Sequence, residues 1–320
     1  MERQTALAEV IDTVADKAKY DRCAKKLLSF KAIDAWILKY CTQEFSLYSI
    51  EYIMEHCMSD KVEVSEHAVH QDELNRKQEV NGDKQITKLN SESSSIHEGT
   101  VYFDVRFNAT IPGTKEPIML IINLEIQTKD KPGYELVTRG IYYCGRMISE
   151  QYGTVFTNEH YEKIQKVYSI WICPTKAKSR KNGISRYHMI EDSVLGGEHL
   201  EQNKYDLMEV VIVNLGDAEY DAELGILDLL NTLFSPKIEV NQKKKVLSEK
   251  YSIAMTAELE SEVQYMCNLS TAIANEAARD NSLETAKILL VIGKLTYEEI
   301  AQATKLTVDE VKELDKKRSA

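Results

Sequence analysis

Two carboxylates and an amide, Asp104, Glu125 and Gln127, have the types and spacing for metal chemistry. Asp104 lies in Val101-Tyr-Phe-Asp-Val-Arg-Phe107, and Glu125 and Gln127 close the apolar run Ile118-Met-Leu-Ile-Ile-Asn-Leu-Glu-Ile-Gln127. An apolar strand that ends on an acid needs a reason, because an unpaired buried carboxylate is costly. Strand side chains alternate faces, so Glu125 and Gln127 point the same way. With Asp104 joining from a neighbouring strand, the result is a small anionic pocket suited to a hard divalent cation. Two carboxylates about 4 Å apart repel by roughly 4 kcal/mol at an effective dielectric near 20. A Mg²⁺ ion between them would remove that repulsion, polarise a phosphoryl oxygen and lower the pKa of a bound water. Oxygen ligands favour magnesium or manganese over zinc.

The elements around the trio must hold it in place. Residues 101–111 and 117–127 read as two strands joined by Pro112-Gly-Thr-Lys-Glu-Pro117, whose Pro and Gly suit a hairpin turn. Pro132-Gly133 opens a helix running to about Tyr152, and Arg139, Tyr142, Tyr143 and Arg146 share one of its faces. Val167–Cys173 reads as a buried strand, and Tyr187–Ile190 and Glu209–Val213 as two more. Upstream, residues 5–20 read as a polar helix, and 21–58 as helical with a second helix over Ser49–His56. Residues 59–99 are a polar insertion with one short strand near Lys84–Leu89. From Ala222 onward the pattern is helical: Leu224, Leu227, Leu229, Leu230 and Leu233 suit a core, and Val246–Asn268 reads as one long helix. Two short helices end the chain, with capping boxes at Thr296/Glu299 and Thr307/Glu310.

Composition bounds the function classes. The chain has 320 residues, 43% of them hydrophobic, enough for a real core. A net charge of −11 argues against blanket attraction to nucleic acid, while leaving room for a local basic groove. Six cysteines, Cys23, Cys41, Cys57, Cys144, Cys173 and Cys267, form no C-x-x-C pair and suit reduced, buried thiols in a cytoplasm. His67 and His70 make a lone H-x-x-H that reads as surface. Met1-Glu-Arg-Gln-Thr5 leads into an amphipathic stretch instead of a secretory signal, and the longest apolar run is too short to span a membrane.

The order of elements and the residues Phe103-Asp-Val-Arg-Phe107, Asn123-Leu-Glu-Ile-Gln127, Pro132-Gly-Tyr134, Arg139-Gly-Ile-Tyr-Tyr143, Tyr168-Ser-Ile-Trp-Ile-Cys173 and Met266-Cys-Asn-Leu269 resemble the PD-(D/E)XK nuclease family transposases, relatives of the recombination-promoting nucleases. The similarity runs from about Asp21 to the C-terminus. It implies an α/β, restriction-endonuclease-like core, a mixed central β-sheet flanked by helices, over residues 21–215. A helix over residues 1–20 precedes that core, and an all-helical extension over 222–320 follows it. It also implies a Mg²⁺- or Mn²⁺-dependent DNA endonuclease tied to transposition or recombination. By the same resemblance Asp104, Glu125 and the backbone carbonyl of Ile126 are metal ligands, and Glu44 is an assisting acid. Gln127 stands at the position of the motif lysine; it is neutral, does not titrate, and can only orient a water or a phosphate oxygen.

Arg139, Tyr143 and Arg146 are the substrate-binding candidates, since arginine presents a planar fork to phosphate and tyrosine stacks on bases. Against this, the tyrosines suit a core and Arg139 suits pairing with Glu44 or Glu125. Lys176, Lys178, Arg180, Lys181 and Arg186, and the run Lys243–Lys245, are basic clusters able to track a phosphate backbone or to serve as solvated surface. The last helix pair has a helix-turn-helix rhythm, but Asp309, Glu310, Glu313 and Asp315 favour packing or homo-oligomerisation over DNA reading. The alternative to the nuclease is a non-catalytic, nuclease-like scaffold acting as a DNA-binding or interaction protein.

Overall fold

The structure is a computed structural model and describes residues 14–58, 63–64, 92–93, 101–102, 105–124, 135–174, 181–216 and 225–319. The short strand expected near Lys84–Leu89 lies outside them, as does the start of the expected N-terminal helix. The first described helix is α1 (Val14–Leu27), followed by α2 (Lys31–Cys41) and a short turn α3 (Ile50–Tyr52) that runs on as a π-helical turn over Ile53–Cys57.

Six strands make one mixed sheet in the order β1-β4-β5-β6-β8-β7. They are β1 (Glu63–Val64), β4 (Val105–Thr110), β5 (Pro117–Leu124), β6 (Val167–Pro174), β7 (Gly183–Tyr187) and β8 (Met208–Leu215). β2 (Glu92–Ser93) and β3 (Val101–Tyr102) pair with each other in a separate two-stranded ribbon. β4 and β5 form the expected antiparallel hairpin, with Val105 opposite Ile122 and Phe107 opposite Leu120. β5, β6 and β8 run parallel, and the β5–β6 connection carries α4 (Leu136–Glu150), the crossover helix that parallel strands require.

Alternation divides the sheet into two faces. Val105, Phe107, Leu120, Tyr168, Ile170, Val211 and Val213 point into the larger core, which α1, α2 and α5 (Ile226–Phe234) complete with Leu27, Leu28, Ile33 and Phe234. Met119, Val167, Trp171, Cys173, Val210 and Ile212 point the other way, onto Tyr143, Cys144 and Met147 of α4. Gly140 lets α4 sit close: a Cβ there would lie 2.4 Å from a Val210 methyl and 3.0 Å from Trp171 Nε1.

The C-terminal part departs from expectation in one place. Val246–Asn268 is not one helix. α6 (Val240–Lys245) ends in a π-helical turn, the chain is non-helical from Tyr251 to Thr256, and α7 runs from Ala257 to Ile292. Tyr251 and Ile253 are both buried, which residues two apart on one straight helix cannot achieve against a single core. Ser252 takes a positive φ of 52° between them, and the Thr256 side chain accepts from Leu259 N to restart the helix. Beyond Gly293, α8 (Tyr297–Thr304) and α9 (Val308–Ser319) fold back on α7 through Ala286, Leu290, Ile300, Ala301 and Val311. Both expected capping boxes form, at Thr296/Glu299 and Thr307/Glu310.

The strand expected over Tyr187–Ile190 is instead β7, displaced toward Gly183. Its chain leaves the sheet after Tyr187, where Met189 N donates to the Asp206 carboxylate.

Candidate functional site

Asp104, Glu125, Ile126 and Gln127 lie outside the described residues, as do Lys176, Lys178, Arg180, His67 and His70. Among the described residues, no group of three or more His, Cys, Asp or Glu side chains could hold a metal ion. What is described is the frame around positions 104 and 125 and the four remaining candidates.

Three of those sit on the α4 face. Trp171 is in register with Asn123, the penultimate described position of β5. The Arg139 guanidinium lies 5.2 Å from the Trp171 ring centroid and 5.3 Å from that of Tyr143, and donates to Tyr143 Oη at 3.0 Å. Such stacking holds a guanidinium in one plane. Tyr143 is buried against Trp171, at 5.2 Å between rings, and Trp171 Nε1 donates to Ser169 Oγ. The two tyrosines therefore divide: Tyr143 is core, whereas Tyr142 is 42% exposed. Arg146 is buried and donates to Tyr142 Oη at 3.0 Å. On the same face Arg106 reaches Glu150 at 2.9 Å, tying β4 to the end of α4.

Glu44 stands elsewhere. Its carboxylate accepts from Tyr168 Oη at 2.6 Å and meets Lys166 Nζ at 3.1 Å. Tyr168 points into the larger core, away from α4, and pairs with Leu120 in the middle of β5. The described end of β5 is four residues further on, roughly 13 Å along the strand. Arg139 and Glu44 therefore occupy opposite faces and do not pair with each other.

Around Glu44 is a charge network absent from the sequence expectations. Lys166 Nζ also meets Glu209 at 2.6 Å and Asp206 at 3.4 Å, and Tyr168 Oη lies 3.0 Å from the same Glu209 oxygen, so its one proton is shared between Glu44 and Glu209. Arg186 Nε approaches the second Glu209 oxygen at 3.8 Å, and His188 approaches Asp206 at 3.6 Å. Burial pulls the Lys166 ammonium down, but the charges of Glu44 and Glu209 outweigh it and the pKa is raised. Burial, then the same two acids, pushes the Tyr168 phenol up. One sequence signal does point here: Glu209 opens the apolar run Val210-Val-Ile-Val213 much as Glu125 closes its own.

The triple-lysine run is engaged by the protein. Lys243 is fully buried and donates to Leu233 O at 2.8 Å, while Lys244 pairs with Glu260 at 2.7 Å. All six cysteines are free and buried, and burial pushes the thiols of Cys23, Cys41 and Cys144 up to about 12, which removes them as nucleophiles.

A family model described as "PD-(D/E)XK nuclease family transposase" matches residues 73–271, more than half of the 320-residue chain. The chain belongs to this family. No curated protein and no solved structure matches it. As a PD-(D/E)XK nuclease family transposase it is a nuclease of the transposition type, with a restriction-endonuclease-like α/β fold and DNA as the implied substrate. Nucleases of this kind generally use divalent metal ions. The matched range holds the whole β4–β5 hairpin, α4 and the parallel strands, and continues into the first part of α7. No helix among the described residues is long and apolar enough to cross a membrane.

Proposed function

We propose that this chain is a Mg²⁺- or Mn²⁺-dependent DNA endonuclease linked to transposition or recombination, with its chemistry on the α4 face of the sheet. The register of the hairpin supports the reading: Val105 lies opposite Ile122 and Arg106 opposite Ile121, and the Arg106 side chain reaches Glu150 at the end of α4. Strand alternation carried on from Arg106 and Ile121 would turn Asp104, Glu125 and Gln127 to that same α4 face.

That donor set, two carboxylates with the Ile126 carbonyl, is all oxygen and suits magnesium or manganese. Asp104, Glu125 and the Ile126 carbonyl would hold the ion, which supplies polarisation of a phosphoryl oxygen and acidification of water when bound. Gln127 orients the attacking water or a phosphate oxygen through its amide. Arg139, held over Trp171 by Tyr143, presents its fork to the DNA backbone, and Arg146 supports this face through Tyr142. Glu44, committed to Lys166 and Tyr168, stabilises the opposite face in this reading.

The nuclease core spans residues 21–215, and the helical region 222–320 is an extension. Exposed Ile288, Val291 and Ile292 near the end of α7 support self-association through that extension.

Purified protein is expected to nick plasmid DNA with Mg²⁺ or Mn²⁺, and Asp104→Ala or Glu125→Ala to abolish nicking. Equal nicking by the double alanine variant overturns the assignment. Failure to bind either ion at millimolar concentration would instead favour a non-catalytic scaffold.

A further inference from the structure

A second site lies on the face away from α4. A cavity of about 550 Å³ opens between the C-terminal end of α2 with the loop after it and the β7–β8 edge of the sheet. Its volume is that of small-molecule pockets generally. Lys39, Tyr40, Gln43, Ser46 and Arg186 line it, and among the described lining residues there are two cations and no acid. In a chain of net charge −11 that is an unusual local balance. Of the nearby acids, Glu44 is engaged by Lys166 and Tyr168, and Glu209 gives one oxygen to Lys166 and turns the other toward Arg186 at 3.8 Å.

The two cations keep donors in hand. Arg186 meets Glu209 at 3.8 Å, beyond hydrogen-bond range, so among the described residues its fork of five N–H groups forms no hydrogen bond. Lys39 donates to the carbonyls of Ser46 and Tyr48, which fixes the ammonium at the wall of the cavity and leaves one of its three N–H groups. Tyr40 adds an aromatic wall, stacked on Trp36 at 5.8 Å with 12° between the rings. Gln43 adds an amide with both donor and acceptor, and Ser46 a hydroxyl. Two cations beside an aromatic wall and a polar amide match a phosphate, a base face and a base edge in turn.

We infer that this cavity binds a nucleoside phosphate, with Arg186 and Lys39 on the phosphate, Tyr40 against the base and Gln43 at its polar edge. The inference is independent of the metal chemistry proposed for the other face. The ligand is either a free nucleotide or the terminal nucleotide of a DNA strand.

Calorimetric titration of the full chain, without divalent metal, tests it with dAMP, deoxyadenosine, inorganic phosphate and a phosphorylated tetranucleotide. The expected result is dAMP or the tetranucleotide binding at least about tenfold more tightly than deoxyadenosine or phosphate. dAMP as the tighter of the two identifies a free nucleotide, and the tetranucleotide a strand end. Arg186→Gln is expected to weaken binding about tenfold or more, and Arg186→Lys less. Gln43→Glu, on an exposed loop position, places an acid in the wall and is expected to weaken binding with the melting temperature unchanged. Absence of binding at millimolar concentration, equal binding of deoxyadenosine, or wild-type affinity in both Arg186→Gln and Gln43→Glu would overturn the inference.

Discussion

Replacing Lys166 with methionine removes the one ammonium that holds three acids together. Its nitrogen meets Glu209 at 2.6 Å, Glu44 at 3.1 Å and Asp206 at 3.4 Å. Glu209 and Asp206 side chains are almost fully buried. Because Glu44 and Glu209 touch the same nitrogen, their oxygens lie within about 6 Å, and at an effective dielectric near 20 their repulsion is about 3 kcal/mol once the cation is gone. Breaking a buried pair by deleting one partner costs about 3–5 kcal/mol in general, and the two figures agree. Lys166→Met should therefore lower stability by about 3–5 kcal/mol, or the melting temperature by about 4–8 °C. Glu209→Gln in the variant should restore part of the loss, because it removes one of the clustered charges. Denaturant unfolding followed by circular dichroism measures both. A loss below about 1 kcal/mol, or no recovery with Glu209→Gln, refutes the reasoning.

Two further outcomes follow from the packing. Asp34 is fully buried, neither carboxylate oxygen has a hydrogen-bond partner among the described residues, and burial raises its pKa well above the ordinary value. An acid with a raised folded pKa stabilises fully below its unfolded value, about 3.9, and loses that contribution as pH rises. The stability of Asp34→Asn relative to wild type should thus increase from pH 4 toward pH 8. The slope is about 1.4 kcal/mol for each step of one in pH until the folded pKa is passed, and a flat difference would remove the argument. Gly140→Ala places a methyl 2.4 Å from Val210 Cγ1 and 3.0 Å from Trp171 Nε1, so urea unfolding should show a loss of about 1–3 kcal/mol. An unchanged midpoint would mean that α4 can lift off the sheet without cost.

Local pattern was enough wherever a structure is made by neighbours in the chain. The β4–β5 hairpin follows from Pro and Gly between two apolar runs, α4 from the Pro-Gly signal ahead of residues that share one helical face, and the terminal helices from Thr and Glu three residues apart. Tertiary structure decided what depends on distant residues. Glu44, Lys166, Asp206 and Glu209 come from three separate stretches, and only the sheet brings them into contact. Lys243 reads as surface until α6 packs it under Leu233 O. The break at Tyr251 exists because Tyr251 and Ile253 must both enter one core, a demand no local propensity contains. Acids beside apolar strands are thus visible in sequence. Whether such an acid meets a lysine, as Glu209 does, or waits for a metal, as proposed for Glu125, is settled by what the fold places opposite it, because a buried charge must be compensated by something.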